Sequence, residues 1–598
     1  MAQNTAAATA ERKPKKQKQS QFSGMSKALV RRETISAYLF LLPSLIFFIG
    51  FVVIPMFICV FYSFTEYGLG GIKGFAGLSN YIKLFQDPVF HRGFINTLII
   101  VVVAVPTVTA FSLWVSSAIY KMHAIPRSFF RCVFYLPVVT GSVAITVVWK
   151  WILNPYNGIL NQVTNNVGFD WLGNQRTALW FIILILFTTS IGQPIVLYVA
   201  ALGNVDQSLI EAAQVDGATK LQVFWKIKWP QVMPTTLYVL VITTINSFQC
   251  FALIQLLTKG GPLDSTMTIM YQVYDTAYRL NDLGYANAIG VVLAIIIAIF
   301  SAIQFKVAKT DYGGRETMTN KKTDLSGTST GYKVFAVVIL VLITLFFLFP
   351  LYWIVTGSFK DAIEINAREP IWFPQNPTVD NYARLFEHPA FLWLFNIVFI
   401  SAMAMILTCV TASLAGYALG KKRFYGRGIL FTIIICAMAL PKQVIVIPLL
   451  QEMTAIGLND NIWAVILPTV GWPFGVFLMK QFSETVPTEI LEAARVDGAG
   501  ELRTFFSVVF PMIKPGIGAL AIFTFVNTWN DYFLQLVMLT SERNWTLPLA
   551  IANLQGEMSS DFGLIMAGAA LASIPIIVVF IAFQKYFTQG IAMGAVKG

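Results

Sequence analysis

A polar stretch of 24 residues occurs twice in this chain, and it limits the possible folds more than any other feature. Residues 211–234 read EAAQVDGATKLQVFWKIKWPQVMP and residues 492–515 read EAARVDGAGELRTFFSVVFPMIKP, with 11 of the 24 positions identical at a spacing of about 281 residues. A repeat of this length indicates two homologous halves. Each copy lies between apolar runs long enough to cross a bilayer, so we interpret both as loops at a membrane surface. We name them the first duplicated loop (205–234) and the second duplicated loop (486–515).

The composition supports a membrane protein. Of the 598 residues, 56% are hydrophobic and only 12% are charged, whereas the charged fraction of soluble proteins is about 25%. The Lys and Arg residues behind the net charge of +12 are concentrated in short loops between apolar runs, which is typical of membrane topology rather than of nucleic-acid binding. The five cysteines fall inside apolar segments at no paired or metal-like spacing, so we expect no disulfide, metal or cofactor.

Twelve apolar runs are predicted to be transmembrane helices, six in each half, which makes the expected fold an all-α membrane protein. Residues 1–34 are interpreted as a disordered, basic cytoplasmic tail, and residues 307–333, rich in Gly, Ser, Thr and Lys, as a cytoplasmic linker between a first half (35–306) and a second half (334–598). The predicted spans are Ile35–Phe64, Phe94–Tyr120, Cys132–Ile152, Ala178–Leu202, Thr235–Thr258 and Tyr285–Phe305, followed by Val334–Ser358, Leu392–Leu419, Ile429–Leu450, Ile462–Met479, Gly516–Leu539 and Phe562–Phe583.

The distribution of basic residues predicts the orientation. The loops after the second span of each half, 121–131 and 421–427, carry Lys and Arg without an acidic residue, so they are predicted to be cytoplasmic together with both termini. Both duplicated loops then lie on the cytoplasmic side as well. Six spans separate the two copies, an even number, so the halves are predicted to be parallel repeats about an axis along the membrane normal. Residues 78–97 resemble residues 379–398 and are predicted to be extracytoplasmic.

Each duplicated loop is predicted to be two short helices around an Asp-Gly hinge. In the first copy the capping-box spacing of Ser208 and Glu211 favours a helix start, and glycine at 217 and 498 permits the left-handed conformation that ends a helix. Pro230 and Pro511 are expected to end the second helix. One face of that helix carries an aromatic knob, formed by Leu221, Phe224 and Trp225 in the first copy and by Leu502, Phe505 and Phe506 in the second. The alternative is a hairpin that lies against its own bundle, but the duplication favours docking.

These stretches carry a resemblance to a known family. The two EAA…DG…P loops, LIQLLTKGGP (253–262) and VNTWNDYF (526–533) resemble the two membrane subunits of binding-protein-dependent carbohydrate ABC importers of the maltose type. The first half resembles the larger subunit and the second half the smaller one, over nearly all of residues 35–590. The resemblance implies the fold of a type I ABC importer transmembrane domain. The chain departs from the family's usual arrangement by joining both subunits.

The resemblance also implies partners and roles. In that family the EAA helices insert into clefts on two cytoplasmic ATPase subunits, and an extracytoplasmic binding protein delivers the solute to the opposite face. The chain is then a permease of a bacterial-type plasma membrane without enzymatic activity, because ATP is hydrolysed by the separate subunits. The carboxylates would pair with a basic residue of the ATPase, the glycines would bend the loop and the aromatic residues would fill a pocket. The implied coupling residues are Glu211, Ala212, Asp216, Gly217, Phe224, Glu492, Ala493, Asp497, Gly498 and Phe505.

Polar side chains within the spans are the candidates for a solute path, because such groups are costly against lipid and tend to face a cavity. Amides hydrogen-bond to hydroxyls and an aromatic face stacks on a sugar ring, while positive charges are scarce in the predicted spans. We therefore expect a sugar, with Asn246 and Asn527 matched between the halves. The same groups can instead form hydrogen bonds between helices. The candidates are Ser142, Thr188, Gln193, Asn246, Gln249, Asn527, Trp529, Asn530 and Asp531.

Two other functional classes were weighed. A secondary transporter of six plus six spans, driven by an ion gradient, usually needs buried acidic residues. Here Asp531 is nearly the only carboxylate inside a predicted span, and the three histidines lie at or beyond span ends. An enzyme would need a nucleophile, a metal site or a pair of acids at a suitable spacing, and the sequence has no convincing example. The permease is therefore the favoured interpretation.

Overall fold

The computed structural model describes residues 27–68, 70–312, 330–438, 441–557 and 561–595. Most of the predicted basic tail and the central part of the predicted linker lie outside these residues. The helices next to them extend further than expected, because one begins at Lys27, one continues to Tyr312 and the next begins at Thr330. The predicted linker is therefore helical at both of its ends.

The regular secondary structure of the described residues is helical apart from one small hairpin of antiparallel strands, Thr65–Gly68 and Gly71–Phe75. The α-helices of the first half are Lys27–Phe48, Ile54–Ser63, Ser79–Gln86, Pro88–Ile119, Ala124–Ile152, Ile159–Thr164, Ala178–Ser190, Gly192–Gly203, Gln207–Val215, Lys220–Val223, Trp229–Phe248, Ala252–Leu257, Ile269–Tyr274 and Leu283–Tyr312, with π-helical turns at Ile49–Val53, Phe224–Lys228 and Asp275–Arg279. Those of the second half are Thr330–Ser358, Ala362–Ile365, Asp380–Glu387, Ala390–Lys421, Arg427–Met438, Val446–Ala455, Trp463–Gly471, Phe474–Glu484, Thr488–Val496, Glu501–Thr504, Phe510–Met512, Lys514–Trp529, Tyr532–Met538, Leu547–Glu557 and Phe562–Ala595, with 3₁₀ turns at Lys442–Ile445 and Glu542–Asn544 and a π-helical turn at Phe505–Val509.

The described helices agree with the predicted spans in order, and in number when each bent helix pair counts as one span. Among the described residues, eight helices are long and apolar enough to cross a membrane, and four bent helix pairs raise the number to 12. The expected all-α membrane fold is therefore correct, but three of the spans are bent. They are Ala178–Ser190 with Gly192–Gly203 (43°), Arg427–Met438 with Lys442–Ala455 (91°), and Trp463–Gly471 with Phe474–Glu484 (43°). The fourth bend, 76° between Glu501–Met512 and Lys514–Trp529, joins the second duplicated loop to the span that follows it.

The internal repeat is visible as the same hydrogen bond in both halves. Asn80 donates its amide to the Ser63 carbonyl at 3.0 Å, and Asn381 donates to the Ser358 carbonyl at 3.1 Å. Each bond holds a short helix against the end of the first span of its half. The segments 78–97 and 379–398, which resemble each other in sequence, therefore fold alike. The same ends carry matched ion pairs at 2.7 Å, Lys83 with Asp282 and Arg384 with Asp561.

The first span of each half packs across the other half. Phe40, in the first span of the chain, makes edge contacts with Tyr417 and Phe505 at ring-centre distances of 5.4 and 5.7 Å. Phe347, in the first span of the second half, packs on Phe134 of the first half at 5.3 Å. All five side chains are buried. The two halves are therefore interlocked and bury part of their apolar surface against each other.

The prediction that Pro230 ends a helix is wrong. Residues from Lys220 to Phe248 form one uninterrupted helix through a π-helical turn, and Pro230 lies in the first turn of Trp229–Phe248. A proline costs little there, since the N–H that it lacks is not needed at the start of a helix and the preceding π-helical turn has already changed the hydrogen-bond pattern. In the second copy the helix does end just after Pro511, where the chain bends by 76°.

Candidate functional site

Both duplicated loops lie at the same end of the bundle as the basic loops that follow the second spans. Lys228 of the first duplicated loop donates to the Tyr120 hydroxyl at 2.7 Å. Lys422 is paired with Glu501 of the second duplicated loop at 2.5 Å. Each duplicated loop therefore contacts the cytoplasmic end predicted for the second span of its half or the basic loop that follows it.

The Asp-Gly hinge has the same backbone geometry in both loops. Gly217 and Gly498 have φ values of +78° and +75°. The following residue closes the turn, since Ala218 N–H donates to the Ala213 carbonyl at 2.8 Å and Ala499 N–H donates to the Ala494 carbonyl at 2.9 Å. A Cβ atom at either glycine would meet nothing within 4 Å. Glycine is therefore needed here because of its positive φ, and not because a side chain would lack space.

The helix of the first duplicated loop begins earlier than the capping-box spacing predicted. Its cap is Asp206, which accepts hydrogen bonds from the Ser208 hydroxyl at 2.7 Å and the Ser208 N–H at 2.9 Å. These bonds lower the pKa of the Asp206 carboxyl. Ser208 is therefore a donor to the cap instead of being the cap itself.

The outward face of each loop carries a free carboxylate. Glu211 and Glu492 are exposed, and within the described residues neither forms an ion pair. The neighbouring positions Ala212, Ala493, Asp216 and Asp497 are exposed as well. Each loop therefore offers the same acidic group, next to small side chains that let a partner approach closely.

Apolar side chains extend from the same loops. Trp225 is 52% exposed and Phe506 is 58% exposed. Exposed apolar clusters on a folded protein indicate an interaction surface. The other exposed apolar residues also occur as matched pairs, Val215 with Val496 and Leu221 with Leu502. The two loops thus present equivalent apolar patches.

The structure corrects the composition of the aromatic knob. Phe505 is buried between Phe40 and Tyr417, and Phe224 is partly buried against the first half. Adjacent helix positions point about 100° apart, so one residue of each aromatic pair faces the bundle and the next faces outward. The exposed aromatic side chains are therefore Trp225 and Phe506. Phe505, predicted as a coupling contact, anchors the loop to the bundle.

Ion pairs tie the second duplicated loop to the first span of the chain. Arg495 is 2.7 Å from Glu33 and 3.6 Å from Glu501, which in turn pairs with Lys422. Gln214 and Lys220 stand at the positions of Arg495 and Glu501 in the first duplicated loop. The outward faces of the two loops are thus similar, but the residues that form these ion pairs in the second loop are replaced by other residue types in the first.

A cavity of about 270 Å³ lies between the two halves. Five of the nine predicted path residues line it, and they come from both halves. They are Gln193, Asn246, Gln249, Asn527 and Asp531. The matched pair Asn246 and Asn527 therefore lies at one cavity, and its role in a solute path stays a prediction.

Thr188 and Trp529 are not among the lining residues of this cavity. Thr188 is buried and donates its hydroxyl to the Ile185 carbonyl at 2.7 Å within its own helix. Trp529 is buried and stacks on Phe525. Neither side chain faces this cavity, and Thr188 does not form the hydrogen bond between helices that was its alternative role, since its partner lies in its own helix.

Ser142 and Asn530 also lie outside the cavity, at a contact between the halves. The third span of the first half is kinked at Gly141, whose φ is +83°. Asn530 of the second half donates its amide to the Val138 and Val139 carbonyls at 3.0 and 3.1 Å. A kink leaves carbonyls without their helical partners, so Asn530 supplies hydrogen bonds that the first half lacks. Ser142 lines a narrow gap beside this contact.

Lys442 is a charged cavity residue that the sequence analysis missed. It pairs with Asp531 at 2.5 Å and lies at the break of the third span of the second half. Lys442 was not among the predicted path residues, because few positive charges were expected in the spans. Its signal was present in the sequence, because a lysine in the middle of the predicted span Ile429–Leu450 is costly against lipid and indicates a polar partner.

Comparison with known proteins places these features in a family. The model of the family "Binding-protein-dependent transport system inner membrane component" matches residues 90–310 and again residues 412–593. The arabinooligosaccharides transport system permease protein AraQ of Bacillus subtilis is 32% identical over 272 residues, which cover 45% of this chain and 96% of that protein. The probable ABC transporter permease protein YurN of the same organism is 34% identical over 290 residues, which cover 47% of this chain and 99% of that protein.

A solved structure is also similar. The crystal structure of a bacterial ABC transporter involved in the import of the acidic polysaccharide alginate matches at 23% identity with a TM-score of 0.41. The match covers 44% of this chain and 100% of that chain. The two sequence relatives likewise match less than half of this chain over nearly their whole length. Since the family model matches once in each half, the chain holds two permease units.

Proposed function

This chain belongs to the family of binding-protein-dependent transport system inner membrane components, whose model matches more than half of its length, and from that premise we propose that it forms both membrane halves of an ATP-driven sugar importer. The observation that carries the proposal is the pair of equivalent exposed patches at one end of the bundle. Each patch has a free carboxylate, a glycine hinge and one exposed aromatic side chain. Two equivalent sites fit two equivalent partner subunits.

Those partners are two cytoplasmic ATPase subunits, one on each duplicated loop. Glu211 and Glu492 would pair with a basic group, while Trp225 and Phe506 would fill an apolar pocket on each subunit. ATP is hydrolysed by these partners, and the permease chain is not an enzyme. Movement of the two ATPases toward each other would move both loops and rock the halves about the cavity between them.

The cavity supplies the solute path. It lies between the halves and carries amides from both, which suits a hydroxyl-rich solute delivered by an extracytoplasmic binding protein. The name of the relative AraQ refers to arabinooligosaccharides, which is consistent with a sugar. A gradient-driven transporter gains no support, since it would leave the two matched patches without a role.

The proposed location is a bacterial plasma membrane with the duplicated loops and both termini on the cytoplasmic side. The support is the concentration of Lys and Arg in the loops 121–131 and 421–427. Lys422 of the second of these loops contacts Glu501 of the second duplicated loop, and Tyr120, which directly precedes the first, contacts Lys228 of the first duplicated loop. A cytoplasmic position places both patches where ATP is available.

Serine variants of the two exposed aromatic residues test ATPase coupling. Trp225→Ser and Phe506→Ser should each weaken binding of the ATPase subunits by about 2 kcal/mol, or roughly 30-fold, as expected for an aromatic anchor in a pocket. The measurement is co-purification of the ATPases with the membrane-extracted permease. Phe75→Ser is the matched control, because Phe75 is an exposed aromatic residue (77%) that lies in the hairpin at the other end of the bundle.

Sugar uptake by vesicles that contain the assembled complex shows which energy source drives transport. We expect sugar uptake to continue after a proton uncoupler is added and to stop when ATP is withheld from the cytoplasmic side. Full ATPase binding by both serine variants would contradict the coupling role. Uptake that stops with the uncoupler alone would favour the gradient-driven transporter instead.

A further inference from the structure

Two side chains of opposite charge face each other in the cavity between the halves. Among the described residues that line it, Lys442 is the one basic side chain and Asp531 the one acidic side chain. Lys442 Nζ donates to Asp531 Oδ2 at 2.5 Å. The cavity therefore contains a cation and an anion but carries no net formal charge.

The pair retains hydrogen-bonding capacity toward the cavity. Lys442 is 41% exposed and Asp531 is 11% exposed. The described contacts use one of the three ammonium N–H groups of Lys442, while the second oxygen of Asp531 accepts from Leu534 N–H at 3.4 Å. A solute hydroxyl can both donate and accept, so it can bond to the carboxylate and to the ammonium group at once.

The surrounding residues suit the same kind of solute. Asn246, Gln249 and Asn527 bring amides to the cavity, and Tyr238 and Trp472 bring aromatic rings. Amides bond to hydroxyls, and rings pack on the apolar face of a sugar. A solute carboxylate would meet a lysine that is already neutralised, and Asp531 close behind it would repel the added negative charge.

We propose that the Lys442–Asp531 pair is part of the solute site and selects uncharged, hydroxyl-rich solutes against solutes that carry a carboxylate. The proposal rests on the function proposed above and names the substrate class of its path. It assigns Lys442, at the break of a transmembrane span, a direct contact with the solute. It also states that the charge of Asp531, and not only the shape of its side chain, contributes to the selectivity for uncharged solutes.

The variants are chosen to change charge and to preserve structure. Asp531→Asn leaves a net positive cavity, and its amide oxygen can still accept from Leu534 N–H at the start of the helix Tyr532–Met538. Lys442→Met leaves a net negative cavity with a side chain of similar length. The double variant restores a neutral cavity without the pair. Lys480→Met is the matched control, since it breaks the Lys480–Glu484 pair, which is not in the cavity.

The measurement is equilibrium binding to the full chain in lipid nanodiscs without a binding protein, so that only the permease selects. Neutral probes are raffinose, maltotriose and arabinotriose, and trigalacturonate is the anionic probe. Wild type should bind at least one neutral probe about tenfold more tightly than trigalacturonate. Asp531→Asn should shift this ratio about tenfold toward trigalacturonate, and Lys442→Met should shift it away. The double variant should return the ratio near wild type but bind the neutral probe more weakly.

Several results would overturn the proposal. These are preference of wild type for trigalacturonate, no binding of any neutral probe, a ratio that neither single variant changes, or full neutral-probe affinity in the double variant. A change of the ratio in Lys480→Met as large as in the cavity variants would do the same. Failure of the proposed function would appear separately, in ATPase co-purification and ATP dependence, because the nanodisc measurement uses neither.

Discussion

The bend of each duplicated loop depends on one backbone dihedral angle, the positive φ of Gly217 or Gly498, which lies in the left-handed region. Gly498→Ala should cost about 1 kcal/mol at the bend, because a Cβ disfavours positive φ, while Gly498→Asn should cost less since Asn tolerates that region. The expected readout is ATPase binding several-fold weaker in the Ala variant than in the Asn variant. The melting temperature should change little in either variant, because a Cβ at this position meets no neighbour within 4 Å and about 1 kcal/mol shifts the melting temperature of a large chain only slightly. Equal binding by the two variants would mean that the angle does not matter for docking.

Neighbouring residues in the motif VNTWNDYF show what a sequence can and cannot assign. The sequence predicted that Asn527 and Asp531 reach a cavity, and they do. It could not separate them from Trp529, which packs on Phe525, or from Asn530, which bonds to carbonyls of the other half. Polarity identifies a residue that needs a partner, but the direction of its side chain depends on how the two halves meet.

At the level of helices, the first span of each half is held by the opposite half. Phe40→Ala should destabilise the protein by about 3 kcal/mol, because it removes a buried ring between Tyr417 and Phe505. Thermal unfolding of the purified chain should show a clearly lower melting temperature. Phe57→Ala is the control, since Phe57 belongs to the same span but is 66% exposed. Similar melting temperatures for the two variants would contradict the interlocked packing.

Hydropathy and repeat spacing predicted all 12 spans, yet they could not predict the bends. The fourth span of each half is bent by 43°, and the third span of the second half by 91°. A hydropathy pattern counts apolar residues and carries no information on helix direction, so a broken span and a straight one look alike. Pro230 and Pro511 make the same point, because equivalent prolines lie in a continuous span in one half and beside a bend in the other. Tertiary packing decides between the two outcomes.

On the scale of the whole molecule, the chain joins two units that each match the same family model. The relatives AraQ and YurN each match less than half of this chain over nearly their full length. The contacts that interlock the halves, such as Phe347 with Phe134 and Asn530 with the Val138 carbonyl, do not depend on the covalent connection. The connection keeps two partners at high local concentration, which favours assembly without adding a contact.

Cutting the chain between residues 319 and 320 tests whether the halves carry all of the information for assembly. Two co-expressed fragments should co-purify and should reconstitute ATP-dependent uptake, within about a factor of two per assembled complex, because the interlocking contacts remain. Either fragment alone should be poorly stable, since Phe40 or Phe347 would lose the partner rings of the opposite half. The measurement is affinity purification through a tag on one fragment, followed by uptake in proteoliposomes. Phe40→Ala in the first fragment should reduce recovery of the second fragment more than Phe57→Ala does. Two stable fragments that fail to associate would show that the covalent connection, and not the exchanged first spans, holds the halves together.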